Sequence, residues 1–146
     1  MRKSLNMSIP FGAKIPFVDH LGFSLEKFEG GESELLFAPR HEHLNSFDVT
    51  HGGAVMTFLD VIMATAARSV DPEMGVVTIE MKTTFMRPAK VPAGQSLVGK
   101  GHLQHRTRSM AFTEGRIYDA EGQLCATATG TFKYVSRRET PSPSTD

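Results

Sequence analysis

The sequence predicts an α+β domain in which an antiparallel sheet of five to six strands curls around one long central helix. Three observations lead there. A single long apolar run, Ala54 to about Ser69, has helical character, and as far as Ala67 it carries one charge, Asp60. Stretches of two-residue alternation lie before and after that run, separated by Gly- and Pro-bearing turn signals. No internal repeat or linker divides the 146 residues, so one core serves the whole chain.

The elements follow in order. Residues 1–16 form a loosely held lead-in punctuated by Pro10, Gly12 and Pro16, and residues 17–135 form the single domain. Leu21–Phe28 and Glu32–Phe37 read as two short strands joined at Gly30-Gly31, a hairpin signal. The helix from Ala54 stops before Asp71-Pro72. In the next strand Val77, Ile79, Met81, Thr83 and Phe85 give a mostly apolar face, with Thr78, Glu80, Lys82 and Thr84 on the polar one. Arg87-Pro88 and Val91-Pro92-Ala93-Gly94 end it. Strands over about Ser96–His105 and Met110–Tyr118 come next. After the turn Asp119-Ala120-Glu121-Gly122, Leu124–Val135 alternates Leu, Ala, Phe and Tyr with Thr and Lys. Residues 136–146 are polar and proline-bearing, and are expected to be disordered or exposed. A sheet curled around such a helix would bury it on most sides.

Composition narrows the function classes. Sixteen basic and sixteen acidic residues leave no net charge, which argues against a nucleic-acid or membrane surface as the main partner. The single Cys125 excludes an intrachain disulfide framework and fits a reducing cytosol. The basic opening has no apolar stretch of signal-peptide length, and no window reaches transmembrane length. A cytoplasmic protein is expected.

The chemistry concentrates between Asn45 and Asp60. A loop bearing Asn45 and His51 ends in Gly52-Gly53, where the helix starts. Backbone N–H groups at a helix start lack intrahelical acceptors and carry the positive end of the helix dipole. Glycine lets a ligand approach that backbone closely. A lone carboxylate such as Asp60 on an apolar helix is expensive to keep, so it has either a task or a partner. His41-Glu42-His43 with Asp48 and His51 has the residue types of a metal site. No third and fourth ligand stand at characteristic spacing, however, so no metal is expected, and His41 and His43 are read as exposed loop residues. Met56, Phe58, Met63, Phe85 and Met86 are read mostly as core, with a few lining a pocket.

From Ile15-Pro16-Phe17 through Phe132 the chain resembles the hotdog-fold acyl-CoA thioesterases, most closely the phenylacetate-degradation (PaaI-type) branch. The resemblance rests on the entry segment His-Leu-Gly and on Asn45 with His51-Gly52-Gly53. It rests also on an acid nine residues after the His, on the strand Thr-Ile-Glu-Met-Lys-Thr-Thr-Phe-Met-Arg-Pro-Ala, and on the closing Asp-Ala-Glu-Gly-Gln-Leu-Cys-Ala-Thr-Ala-Thr-Gly-Thr-Phe. It implies a thioesterase that hydrolyses a small aryl- or short/medium-chain acyl-CoA to free acid and CoA, with no cofactor beyond the CoA of the substrate.

The same resemblance assigns roles. The Gly52 N–H polarises the thioester carbonyl. Asp60, supplied by the neighbouring subunit, is general base or nucleophile. Asn45 holds the water or the sulfur end of the substrate, His51 orients the loop, and Thr78 helps to place the attacking water. Gly53, Arg87 with the following Pro88, and the pair Arg106 and Arg108 are expected to meet the substrate and the phosphates of CoA. A homodimer with two composite sites is implied as the minimal unit, and a homotetramer as the assembly. Two alternatives stand beside this reading. One is a non-catalytic acyl-CoA binding or sensing module, which would need neither Asp60 nor Asn45. The other is an acyl-thioester dehydratase or hydratase, whose proline-rich loop motifs Thr50-His51-Gly52-Gly53 lacks.

Overall fold

The computed structural model describes residues 8–137, so the expectations for residues 1–7 and for 138–146 lie outside the described residues. Two strands, β1 (Ser24–Glu29) and β2 (Glu32–Phe37), precede the helix α2 (Gly52–Arg68). Four follow it: β3 (Met74–Phe85), β4 (Leu97–Arg106), β5 (Met110–Tyr118) and β6 (Leu124–Ser136). They form one sheet in the order β1-β2-β4-β5-β6-β3, every neighbouring pair antiparallel. The hairpin between β1 and β2 turns at Gly30 (φ 63°) and Gly31 (φ 85°), the two positive φ angles that a tight two-residue hairpin requires.

Residues 8–21, the described part of the segment before β1, carry structure of their own. Ile9 bridges to Leu25, and Pro16–Leu21 forms a short helix, α1, where the sequence reading had the end of the lead-in and the start of a strand. Proline at the first helical position is already set for helical φ, and buried Val18 and Leu21 anchor the turn to the core. As a result β1 begins at Ser24 rather than Leu21.

α2 lies on the inner face of the sheet. Phe58, Leu59, Ile62 and Met63 are fully buried against Leu25, Leu35, Phe37, Leu97, Ile117 and Phe132. Glycine in β4 allows the close approach: a Cβ at Gly101 would stand 2.6 Å from the Ile62 carbonyl oxygen, backbone that cannot swing aside. Ser33 Oγ donates to that same carbonyl at 2.8 Å.

The sheet wraps α2 but leaves one stripe of it partly open. Met56 is 38% exposed, and Thr57, Asp60, Val61 and Ala64 are only partly covered, which leaves a stripe of the helix open. That stripe looks toward β3, the last strand of the sheet, whose outer edge is unpaired. The expected two faces of β3 are also revised. The β3–β6 register shifts between Thr78 and Glu80, so Ile79 is a bulge residue. Thr78 pairs opposite buried Phe132 and shares the inner face, while Val77 (46% exposed) and Ile79 (53% exposed) are left on the surface. Alternation in the sequence cannot register the one-residue slip that a bulge introduces.

Candidate active site

Two chemically distinct groups stand at two points along α2. The first is at its N-terminus. His51 is the N-cap (φ −60°, ψ 140°), and its Nδ1 accepts the Gly53 N–H at 2.8 Å. Its backbone N–H donates to the His43 carbonyl at 2.8 Å, tying the helix start to the preceding turn. The role implied for His51, orienting the loop, thus has a physical basis in the cap. The cap also takes up the Gly53 N–H, which is therefore not available to a ligand. The Gly52 N–H has no acceptor among the described residues. A Cβ at Gly52 would meet only the Phe85 ring, at 3.7 Å, an ordinary contact. Tight packing therefore does not explain a glycine at position 52.

Beside this N–H lies a cavity of about 310 Å³ lined by Asn45, Thr50, Gly52, Phe85, Met86, Arg87 and Pro88, with Val49, Val55, Ala89 and Ala126 completing its wall. Of the expected site residues, Asn45, Gly52, Arg87 and Pro88 meet here. Asn45 also has a local task, since its Oδ1 accepts the Phe47 and Val49 N–H groups at 2.8 and 3.3 Å. That bracing holds Asp48 in a left-handed conformation (φ 61°) and shapes the loop in front of the helix.

The second group is Asp60 with Thr78. The Thr78 hydroxyl donates to Asp60 Oδ1 at 2.6 Å, joining helix and edge strand across the open stripe. Desolvation raises the Asp60 pKa above the usual carboxylate range, and the Thr78 hydrogen bond pulls it part of the way back. Among the described residues no cation pairs with Asp60. A half-buried carboxylate with a raised pKa, one oxygen held and the other open, is suited to taking a proton.

The two groups do not meet within one chain. Eight residues separate Gly52 from Asp60, about 12 Å along a helix, and neither Asp60 nor Thr78 lines the cavity. A thioester carbonyl on Gly52 cannot reach Asp60 of the same chain.

Arg106 and Arg108 stand elsewhere. Arg106 lies 4.1 Å over the Tyr134 ring and 3.6 Å from Asp71, and the Tyr134 hydroxyl donates to the Ala67 carbonyl. This is the C-terminal end of α2, about 25 Å along the helix from Gly52. Within one chain these two arginines are not part of the cavity. The Arg106 guanidinium packs on an aromatic ring, a use that strand-end spacing does not reveal.

Two further sequence readings need correction. His43 is buried, not exposed: it sits in a 3₁₀ turn (His41–His43) against Phe37, with Nδ1 accepting the Arg40 N–H. Burial holds its imidazole pKa down, with Arg40 adding to the effect. Phe85 and Met86 (52% and 47% exposed) wall the cavity and are not core. Their place just before Arg87-Pro88, where the strand must end, was the available signal. Among the described residues no group of three or more His, Cys, Asp or Glu is placed to hold a metal ion.

Comparison with known proteins places the chain among relatives of known class. The chain is 32% identical over 122 residues to "Putative esterase SSO1253" of Saccharolobus solfataricus, covering 84% of this chain and 78% of that one. It is 31% identical over 86 residues to human acyl-coenzyme A thioesterase 13, covering 58% of this chain and 60% of the relative's length. The fold is that of the E. coli PaaI protein from the phenylacetic acid degradation operon, with a TM-score of 0.77 over 84% of this chain and 86% of that one, at 19% identity. Residues 47–126, more than half of the 146, match the model of the Thioesterase superfamily, and they include Asp60, Thr78 and every lining residue of the cavity except Asn45. The chain belongs to the thioesterase superfamily and is by class a thioester hydrolase.

Proposed function

We propose that this protein hydrolyses acyl-CoA thioesters in the manner of the PaaI-type branch, as a homodimer with two composite sites. The observation that carries the reading is the separation just described. Among the described residues the Gly52 N–H has no acceptor and Asp60, whose pKa is raised, has no cation; the N–H lines a cavity, and one helix holds the two groups too far apart to act on one bond. A second copy whose Asp60 faces the first copy's Gly52 completes the site.

In that arrangement the carbonyl oxygen accepts the Gly52 N–H at the positive end of the helix dipole. The free oxygen of the other subunit's Asp60 removes a proton from water while Thr78 keeps Oδ1 fixed. The hydroxide adds to the carbonyl carbon, and the oxyanion is held on Gly52. Collapse breaks the C–S bond, and the proton on Asp60 returns to the departing thiolate, giving free acid and CoA thiol. Direct attack by Asp60 would instead pass through an anhydride that water then cleaves. Either route needs only the polarising N–H and the carboxylate, so the reading includes neither metal nor organic cofactor.

Asn45 and Arg87 extend the proposal: the loop amide borders the sulfur side, and Arg87 at the cavity rim meets a CoA phosphate. A cavity of about 310 Å³ suits a small aryl or short acyl group. Dimers of such dimers, and a cytoplasmic site of action, belong to the same reading. No helix among the described residues is long and apolar enough to cross a membrane.

The test is release of free thiol from benzoyl-, phenylacetyl- and short-chain acyl-CoA by the wild type and by Asp60→Asn. Turnover that falls by several powers of ten in the variant supports the reading. An equally active variant refutes the assignment of Asp60, and no turnover of any acyl-CoA refutes the substrate class.

A further inference from the structure

The geometry points to Phe85 as the residue that selects the acyl group, favouring flat, unbranched acyls at the carbonyl; the inference rests on the thioesterase reading above. Phe85 is the last residue of β3, paired opposite Ala126 on the inner face. Directly after it, the Met86 and Arg87 N–H groups both donate to the Cys125 carbonyl, at 2.8 and 3.2 Å. The backbone that carries the ring is therefore held to β6 by the strand pairing and by these two hydrogen bonds. The ring itself is 52% exposed and bears none of the core.

Its edge reaches the Gly52 backbone. A Cβ built on Gly52 would lie 3.7 Å from Phe85 Cζ and 3.9 Å from Cε1. Gly52 carries the free N–H, so a carbonyl oxygen accepting that N–H brings its own acyl carbon alongside this ring. Glycine at 52 leaves the space before this ring edge open, and the small side chain of Ala126 lines the same cavity. A planar sp² carbon passes the ring edge within that space. A tetrahedral, branched carbon turns a methyl group into the ring, and the pinned strand end cannot retreat.

The experiment measures kcat/KM for benzoyl-CoA and isobutyryl-CoA in the wild type, Phe85→Ala and Phe85→Leu. The alanine variant is expected to lose about tenfold on benzoyl-CoA and to hold or gain on isobutyryl-CoA, with leucine in between. Equal changes on both substrates, or none, overturn the assignment. An equal loss accompanied by dissociation in sedimentation would move Phe85 to the subunit interface, which also overturns it. A wild type that turns over other acyl-CoAs of the panel but neither of these two overturns the selectivity alone, whereas one that turns over no acyl-CoA sinks the thioesterase reading and the selectivity with it.

Discussion

A Gly52→Pro substitution isolates one backbone N–H from everything else in the site. Position 52 is the first residue of α2, where proline is the favoured replacement because no intrahelical hydrogen bond is lost. The preceding residue already has the conformation proline demands: His51 sits at φ −60°, ψ 140°. The Gly52 N–H has no acceptor among the described residues, and the nearest obstacle to a new side chain is the Phe85 ring at 3.7 Å. The His51 cap on Gly53 stays in place. Folding stability should therefore hold to within about 1 kcal/mol, whereas removing one oxyanion donor costs about 10²–10³ in kcat. Thermal unfolding of both proteins, followed by thiol-release kinetics, reads the two quantities separately. A folded Gly52→Pro enzyme with undiminished kcat would refute the claim that this N–H holds the oxyanion.

Other expectations follow from the same geometry. Asp60→Asn should abolish turnover and at the same time raise the melting temperature at pH 7 by about 2–4 °C, because a desolvated, unpaired charge is removed. The sign follows from the raised pKa. Protonated Asp60 is the form the fold prefers, so its contribution is complete below the ordinary value of 3.8 and is lost as pH rises through the folded value. The stability gap between variant and wild type should accordingly close toward pH 4, and a destabilising Asp60→Asn would mean that the carboxylate is a structural partner. Thr78→Val removes the hydrogen bond that lowers the Asp60 pKa, so the acidic limb of the kcat/KM–pH profile should move to higher pH. A loss of about tenfold on the plateau is expected with it, and an unmoved limb would detach Thr78 from Asp60. Co-expressing Gly52→Pro with Asp60→Asn tests the composite site: random pairing leaves one intact site in half of the dimers, so about a quarter of wild-type activity should return. Activity no higher than that of either variant alone would place both groups in one chain's site.

The sequence was most legible where local chemistry and tertiary structure agree. Gly30-Gly31 require a tight hairpin, and the alternation of Leu124–Val135 against its threonines gives β6 almost to the residue. The isolated charge of Asp60 and the glycines at the helix start were equally plain. What misled was information stored in pairing. The bulge at Ile79 moves Thr78 from the polar face to the inner one, where it finds Asp60, and nothing in residues 77–85 announces a register shift. His43 resembles any loop histidine until Phe37 and Arg40 close over it. Arg106 resembles a phosphate ligand until Tyr134 appears beneath it. In each case the deciding neighbour comes from a distant part of the chain.

The features of this chain that its own fold leaves unexplained all occur together. The open stripe of α2 carries Met56 and Asp60, and the strand it faces, β3, ends the sheet with a bare edge twelve residues long. Val77 and Ile79 are exposed on that strand, and long apolar edges of this kind invite pairing with another chain. Asp60 bears a desolvation cost that no cation among the described residues offsets, and the cavity at Gly52 lacks any carboxylate in its wall. If the function were merely housed in the monomer, an unfinished surface and an unfinished site would have no reason to coincide. A second copy joined along β3, as proposed above, would cover the first and complete the second in one step.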